Sequence, residues 1–178
     1  KDETIQNYSL RLINQIKTPK PILIGLSFGG IIAIEVSKII ETTKIILLSS
    51  VKTKYEIPLY YRLLGKLGFH KIIPTSFLKS SNFITNWFFG VNSEFDKQLL
   101  KQILMETNPV FLNWAIEKII MWSNILVFDN IYHIHGNKDH ILPNCFLKAD
   151  AIINDGGHFM VLNKSLLINK IILRFLGN

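Results

Sequence analysis

Residues 21–36 read "PILIGLSFGGIIAIEV", an apolar run interrupted by Gly25, Ser27, Gly29 and Gly30. Residues 21–26, "PILIGL", have the length and continuity of a strand buried on both faces of a parallel sheet. After the glycines, "IIAIEVSKII" (31–40) has helical length and spacing. A serine at such a strand-to-helix junction is either part of a small-residue helix start or is held out on a sharp turn for chemistry. The second reading carries a steric demand. A nucleophile on a strained turn needs small residues two positions to either side, which Gly25 and Gly29 supply. A phosphate-binding glycine loop is the competing reading, but neither G-x-G-x-x-G nor G-K-[ST] is present.

The rest of the chain extends this pattern. Residues 2–16 place Ile5, Tyr8, Leu12, Ile13 and Ile16 on one helical stripe, and Pro19 closes it. "KIILLSS" (44–50) reads as a second buried strand, so the opening third is α-β-α-β, the order of a parallel α/β sheet. Between Val51 and Asn124 strand-like runs give way to helical segments rich in aromatic residues. Among these, "SEFDKQLLKQILMET" opens with Ser93 and Asp96 spaced as a capping box, with Phe95, Leu99 and Ile103 on its apolar face. "NPVFLNWAIEKIIMW" has Asn108 as N-cap and Pro109 at the first helical position. Strands return at "NIYHIHG" (130–136) and "ADAIIN" (149–154), with a short helix expected at "NCFLK". "LNKSLLINKIILRFL" (162–176) closes the chain as a helix with Leu166, Leu167, Ile171 and Phe175 near one face. The expected organisation is a core of residues 1–50 and 125–178 interrupted by a helical cap at 51–124.

A serine nucleophile needs a base and a carboxylate to orient it. In a parallel α/β sheet these groups project from loops at the carboxyl ends of later strands. Asp139 follows "IYHIHG", and His158 follows "ADAIIN" within "DGGHF", so Ser27, Asp139 and His158 each come just after a strand end. Asp150 and Asp155 are neighbouring acids, and Asp139 leads them on position.

With these residues in place, the sequence resembles the α/β-hydrolase superfamily. "GLSFGG" is similar to its nucleophile elbow, "HGNKDHILP" to its acid loop, "GGHF" to its histidine loop, and the helices of 51–124 to its variable cap. The resemblance implies Ser27 as nucleophile, His158 as general acid/base, Asp139 as orienting acid and the backbone N–H of Phe28 as an oxyanion donor. It further implies a serine hydrolase acting on a carboxylic ester or thioester with an apolar acyl part. Carbon–carbon bond hydrolysis or a lyase step on the same triad is the alternative, as is a non-catalytic ligand-binding module. No cofactor and no metal are required. Members of the superfamily carry further strands before the elbow, and a loop there supplies a second oxyanion N–H. Only one helix precedes the elbow strand here, so the sequence is expected to be the C-terminal part of a longer protein or to have a partner that completes the sheet.

Two other motifs are weaker. His133, His135, Asp139 and His140 in "HIHGNKDH" have ligand-type side chains, but three residues separate His135 from Asp139 where H-x-H-x-D-H has one. "SFLK" (Ser76 to Lys79) matches the S-x-x-K of penicillin-recognising enzymes without the companion motifs.

Composition bounds the remaining possibilities. The chain has 178 residues, 48% of them hydrophobic, which suits a folded domain with a sizeable core. The net charge of +7 comes from twenty basic residues, of which only Arg11, Arg62 and Arg174 are arginines. Scattered lysines without clustered arginines describe a solvated surface rather than a nucleic-acid face. No apolar stretch reaches the length of a membrane span, since glycines and Glu35 break the longest. Cys145 is the single cysteine, so no internal disulfide forms; this fits a reducing compartment such as the cytoplasm. The expected partner is a small apolar acyl substrate, with no nucleic acid and no stable membrane insertion.

Overall fold

The structure, a computed structural model, describes residues 3–68 and 82–177. Four parallel strands form one sheet in the order β1-β2-β3-β4: β1 Ile22–Leu26, β2 Lys44–Leu48, β3 Ile131–Gly136 and β4 Ala151–Ile153. Registers run Ile24 beside Ile46, Leu47 beside His133, and His135 beside Ile152. Sequence-adjacent parallel strands require crossovers, and helices supply them. Helix α1 (Ile5–Ile13) precedes β1, and α2 (Phe28–Ser37) links β1 to β2. Between β2 and β3 stand α3 (Leu59–Lys66), α4 (Phe83–Phe89), α5 (Glu94–Glu106) and α6 (Pro109–Ile120). A short α7 (Met160–Asn163) and the long α8 (Ser165–Leu176) follow β4. The segment expected as a short helix at "NCFLK" is a 3-10 turn over Asn144–Phe146. The "SFLK" motif lies outside the described residues. Among those residues no helix is long and apolar enough to cross a membrane.

Local chemistry accounts for the helix ends. Thr4 caps α1 by accepting the Asn7 N–H at 3.1 Å, and Ser93 caps α5 through the Asp96 N–H at 3.0 Å. Asn108 accepts the Val110 and Phe111 N–H groups ahead of α6, with Pro109 at its first position. Gly90, at φ +66°, ends α4 in the left-handed conformation that glycine adopts at little cost.

The sheet has a core on each face. On one, Ile45, Leu47 and Ile131 pack with Ile31, Ile34 and Ile5 of the helices that precede and follow β1. On the other, Ile46, Leu48, Ile134 and Ile153 pack beneath Met160 and Ile168. This second face corrects the expectation for β1. Ile22, Ile24 and Leu26 are exposed, Ile24 at 54%, whereas its register partner Ile46 is fully buried. Helix α8 covers the sheet over its later strands, and no described element covers that face over β1.

Two helical faces also differ from their spacing. In α5 the buried positions are Asp96, Leu100 and Leu104, while Phe95 and Ile103 face outward, because the helix docks on Val91 and Phe159 by its other stripe. In α8, Ile168 is the buried residue and Leu166 and Leu167 are exposed; Ile171 and Phe175 do pack on the core. Glu35, read as an interruption, is buried and accepts the Trp122 indole N–H at 2.7 Å, so its polarity is satisfied inside the core.

The glycines of the elbow are not equivalent. A Cβ on Gly25 would run into the backbone of Gly29 and Gly30, whereas a Cβ on Gly29 meets nothing within 4 Å. The steric demand therefore sits at Gly25 and, against Ser50, at Gly30, and Gly29 is needed only as the backbone that Gly25 touches. Gly25→Ala is expected to destabilise the protein by roughly 3 kcal/mol or more, since backbone must move. Gly29→Ala, in the first turn of α2, is expected to be neutral or stabilising by up to about 1 kcal/mol. Urea unfolding of the two variants side by side checks the contrast.

Candidate active site

Ser27 sits between β1 and α2 with φ 50° and ψ −118°, a conformation that L-residues rarely adopt. The surroundings hold it there. The Ser27 N–H donates to Leu48 O at 2.9 Å, and the Ser50 hydroxyl donates to Ser27 O at 2.7 Å. The N–H of Phe28, at the first position of α2, belongs to the group of helix-opening amides without an intrahelical acceptor.

The three residues that follow strand ends come together. Ser27 Oγ lies 2.9 Å from His158 Nε2, and His158 Nδ1 lies 2.8 Å from Asp139 Oδ2. A carboxylate only accepts, so the Nδ1 proton of His158 points at Asp139; in the neutral ring Nε2 is then free to accept the serine hydroxyl. Ser27 is half-buried, while His158 and Asp139 are 6% and 2% exposed. The arrangement joins an accessible hydroxyl to a shielded base and a shielded acid.

Asp139 is held by a tight turn after β3. Its Oδ1 accepts the backbone N–H groups of Ile141 at 2.9 Å and Leu142 at 2.8 Å, leaving Oδ2 for side chains. Burial raises the proton affinity of this carboxyl. The opposing charge of His158, hydrogen bonds from His135 and His158 and the Leu142 N–H outweigh it, holding the group well below the usual carboxylate range.

The competing acids are elsewhere. Asp155 is exposed and pairs with Lys138 at 2.6 Å, and Asp150 Oδ2 accepts the His133 backbone N–H at 2.7 Å. The histidine cluster of β3 also resolves into separate environments. His140 turns away to stack on Trp87, ring centroids 3.9 Å apart, and its Nδ1 lies 2.7 Å from Trp87 O. His133 and His135 are fully buried behind Asp139, their rings linked at 3.1 Å between His133 Nε2 and His135 Nδ1. Among the described residues no group of three ligand-type side chains is arranged to hold a metal. Burial, together with the charges of His135 and Lys52, lowers the His133 pKa to about 3, so this ring stays neutral.

The helical insertion reaches the site through α4. Phe89 meets His158 edge-on at 5.7 Å between ring centroids, and Phe89 O accepts the Phe159 N–H at 3.0 Å. Gly90 and Gly157 cross so closely that a Cβ on either would lie 2.6 Å from the other's Cα. Of the other cap aromatics, Phe111 and Trp114 cluster with Phe28 and Tyr8, Trp122 is buried in the core, and Phe83 is exposed. The residues that sequence spacing left unassigned are Phe89, Ser50 and His135. Ser50 carried a faint signal as the polar end of "KIILLSS", and His135 shares an alternating face with His133.

This is the α/β-hydrolase fold, a parallel sheet with a helical insertion between its second and third strands here. A bromoperoxidase from Bacillus anthracis matches at TM-score 0.67 and 17% identity over 97% of this chain and 73% of its own. A meta-cleavage product hydrolase from Pseudomonas fluorescens matches at TM-score 0.68 and 12% identity, covering 99% and 73%. An esterase from Exiguobacterium antarcticum matches at 0.59 and 17%, covering 97% and 72%. At these identities the likeness is one of fold. No family model matches the chain, and neither does any curated protein sequence.

The buried His133 has a consequence for stability. An unfolded histidine binds its proton near pH 6.5, whereas folded His133 resists protonation until about pH 3. Between these values the unfolded chain holds more protons, so acidification favours unfolding. Asp139, also held below its unfolded value, has the same sign, but its contribution is complete above its unfolded value of 3.8 and is lost only below it. From pH 7 to pH 5 the wild type is expected to lose about 2 kcal/mol that a His133→Gln variant retains. Urea denaturation of both proteins at the two pH values measures the difference.

Proposed function

We propose that the chain is a triad-dependent hydrolase in which Ser27 attacks a carbonyl carbon of a small, apolar substrate. The observation that carries this reading is the unbroken hydrogen-bonded sequence Ser27–His158–Asp139 at 2.9 and 2.8 Å, beginning at a serine with strained backbone. His158 Nε2 takes the Ser27 proton as Oγ bonds to the carbonyl carbon, and Asp139 stabilises the resulting imidazolium. Negative charge developing on the carbonyl oxygen falls within reach of the Phe28 N–H and the amino end of α2. His158 then hands its proton to the leaving group. It next draws a proton from water, whose oxygen attacks the acyl carbon, and gives that proton to Ser27 Oγ as the Oγ–acyl bond breaks and the acid leaves.

Two leaving groups suit this sequence of events. An alcohol or thiol leaves from an ester or thioester, and a ketone-stabilised carbanion, which takes the His158 proton on carbon, leaves when a carbon–carbon bond is cut. The likeness to a meta-cleavage product hydrolase favours retaining the second beside the first, because one fold hosts several chemistries. Phe89 against His158 and the apolar residues of α4 support an apolar acyl part in either case.

A fluorophosphonate probe followed by intact-mass analysis tests the nucleophile. One adduct is expected on the wild type, located at Ser27, and none on Ser27→Ala; a folded wild type that takes up no adduct would overturn the reading in favour of a non-catalytic binding module. A paired assay with a p-nitrophenyl ester and a vinylogous 1,5-diketone identifies the leaving group. Ser27→Ala is expected to lower turnover of the preferred substrate on the order of 10⁴-fold or more.

A further inference from the structure

Behind the triad lies a buried pair that the proposed reaction does not use. His135, on β3, is fully buried, and its Nε2 lies 2.7 Å from Leu142 O and 3.3 Å from Asp139 Oδ2. A carbonyl oxygen has no proton to give, so His135 Nε2 carries one whatever the charge of the ring. That N–H is directed to Leu142 O, and the carboxylate oxygen that accepts from His158 lies 3.3 Å from the same nitrogen. With neutral His135, Nδ1 is an acceptor and takes the Nε2–H of His133 at 3.1 Å. Asp139 Oδ2 is thus addressed by two imidazoles from opposite sides, while Oδ1 is occupied by two backbone amides.

We propose that His135 is a positioning residue for the triad, its Nε2–H holding the Asp139 carboxylate in the orientation that aligns His158, with His133 setting the His135 tautomer. This rests on the triad reading of Ser27, His158 and Asp139. The physical need is specific. A buried carboxylate with one oxygen bound only by His158 is free to rotate about its Cβ–Cγ bond or to draw the His158 proton toward itself. A second donor on that oxygen restrains the rotation and tempers its basicity. The arrangement ties the acid loop at both ends, because the same N–H that restrains Asp139 also anchors Leu142 three residues later. Among the described residues, the titratable groups around the pair include Asp150, whose carboxylate accepts the His133 backbone N–H, Glu56 on the turn before α3, close enough to feel His135, Tyr61 of α3, which feels Asp139, and Lys52, which feels His133. Burial pushes Tyr61 up to about 12 and raises Glu56, so Tyr61 stays neutral through the working range.

The test separates an orienting N–H from simple filling of space. His135→Gln offers an amide N–H near the position of Nε2, whereas His135→Phe fills the space without a donor. The readout is the second-order rate of fluorophosphonate labelling of Ser27 from pH 5 to 9, beside thermal unfolding. His135→Phe is expected to label at least tenfold more slowly and with its acid limb displaced to higher pH, because an unrestrained Asp139 holds the His158 proton more tightly. His135→Gln is expected to recover most of the rate and the wild-type limb. Equal rates and limbs in wild type and folded His135→Phe would overturn the proposal, as would a His135→Gln variant no better than His135→Phe.

If His135→Phe does not fold, nitrogen-15 imidazole spectra of the wild type decide. His135 is expected as the Nε2–H tautomer with a slowly exchanging proton coupled to Asp139; a bare Nε2 would refute it. Absence of labelling in the wild type would strike the triad reading instead, and the same spectra would still judge the His135–Asp139 contact.

Discussion

A carboxylate buried almost completely in protein is costly unless every lone pair finds a donor. Asp139 meets that condition with two backbone amides on one oxygen and two imidazoles about the other. Much of the surrounding structure is arranged by this demand. The chain must turn sharply after β3 so that Ile141 and Leu142 present their N–H groups. His135 must point inward from the strand, and the loop after β4 must bring His158 across. Withdraw the carboxylate and these three segments lose their common point of attachment.

The serine side of the site is organised by a different constraint, backbone strain. Ser27 stays at positive φ because its amide is paired to the end of β2 and its carbonyl to the Ser50 hydroxyl. The close approach of Gly25 to Gly29 and Gly30 lets strand and helix meet at that angle. Strain is thus distributed over contacts on the neighbouring strand, which is why the end of β2 bears directly on the position of Ser27. The helical insertion enters from the other side. Among the described residues it attaches at Phe89 and Gly90, against the His158 loop.

Trp114 donates its indole N–H to Glu3 O at 2.8 Å and packs on Tyr8 and Phe28. The insertion is therefore also tied to α1 and to the residue after Ser27. A shift of α6 would be felt at the elbow itself through Phe28, and a shift of α4 at His158.

The order of strands and helices was legible in the sequence because a parallel sheet leaves a strong imprint: continuous apolar runs for strands and 3.6-residue periodicity for helices, punctuated by glycine, proline and capping residues. Ser27, Asp139 and His158 could be grouped from the sequence because each follows a strand end, and a parallel sheet sends all such ends to one side. Periodicity does not reveal which stripe of an apolar-rich helix meets a neighbour, so Leu100 and Leu104 rather than Phe95 and Ile103 are buried in α5. The exposed face of β1 likewise depends on how far α8 extends across the sheet, a matter of packing between residues more than a hundred positions apart. The distances set Asp139 apart from Asp150 and Asp155: it is 2.8 Å from His158 Nδ1, while Asp150 accepts the His133 backbone N–H and Asp155 pairs with Lys138. The position of His135 also rests on tertiary structure: alternation along β3 places its ring on one face, but only the turn that folds Asp139 and Leu142 back beneath that face brings its N–H to the carboxylate.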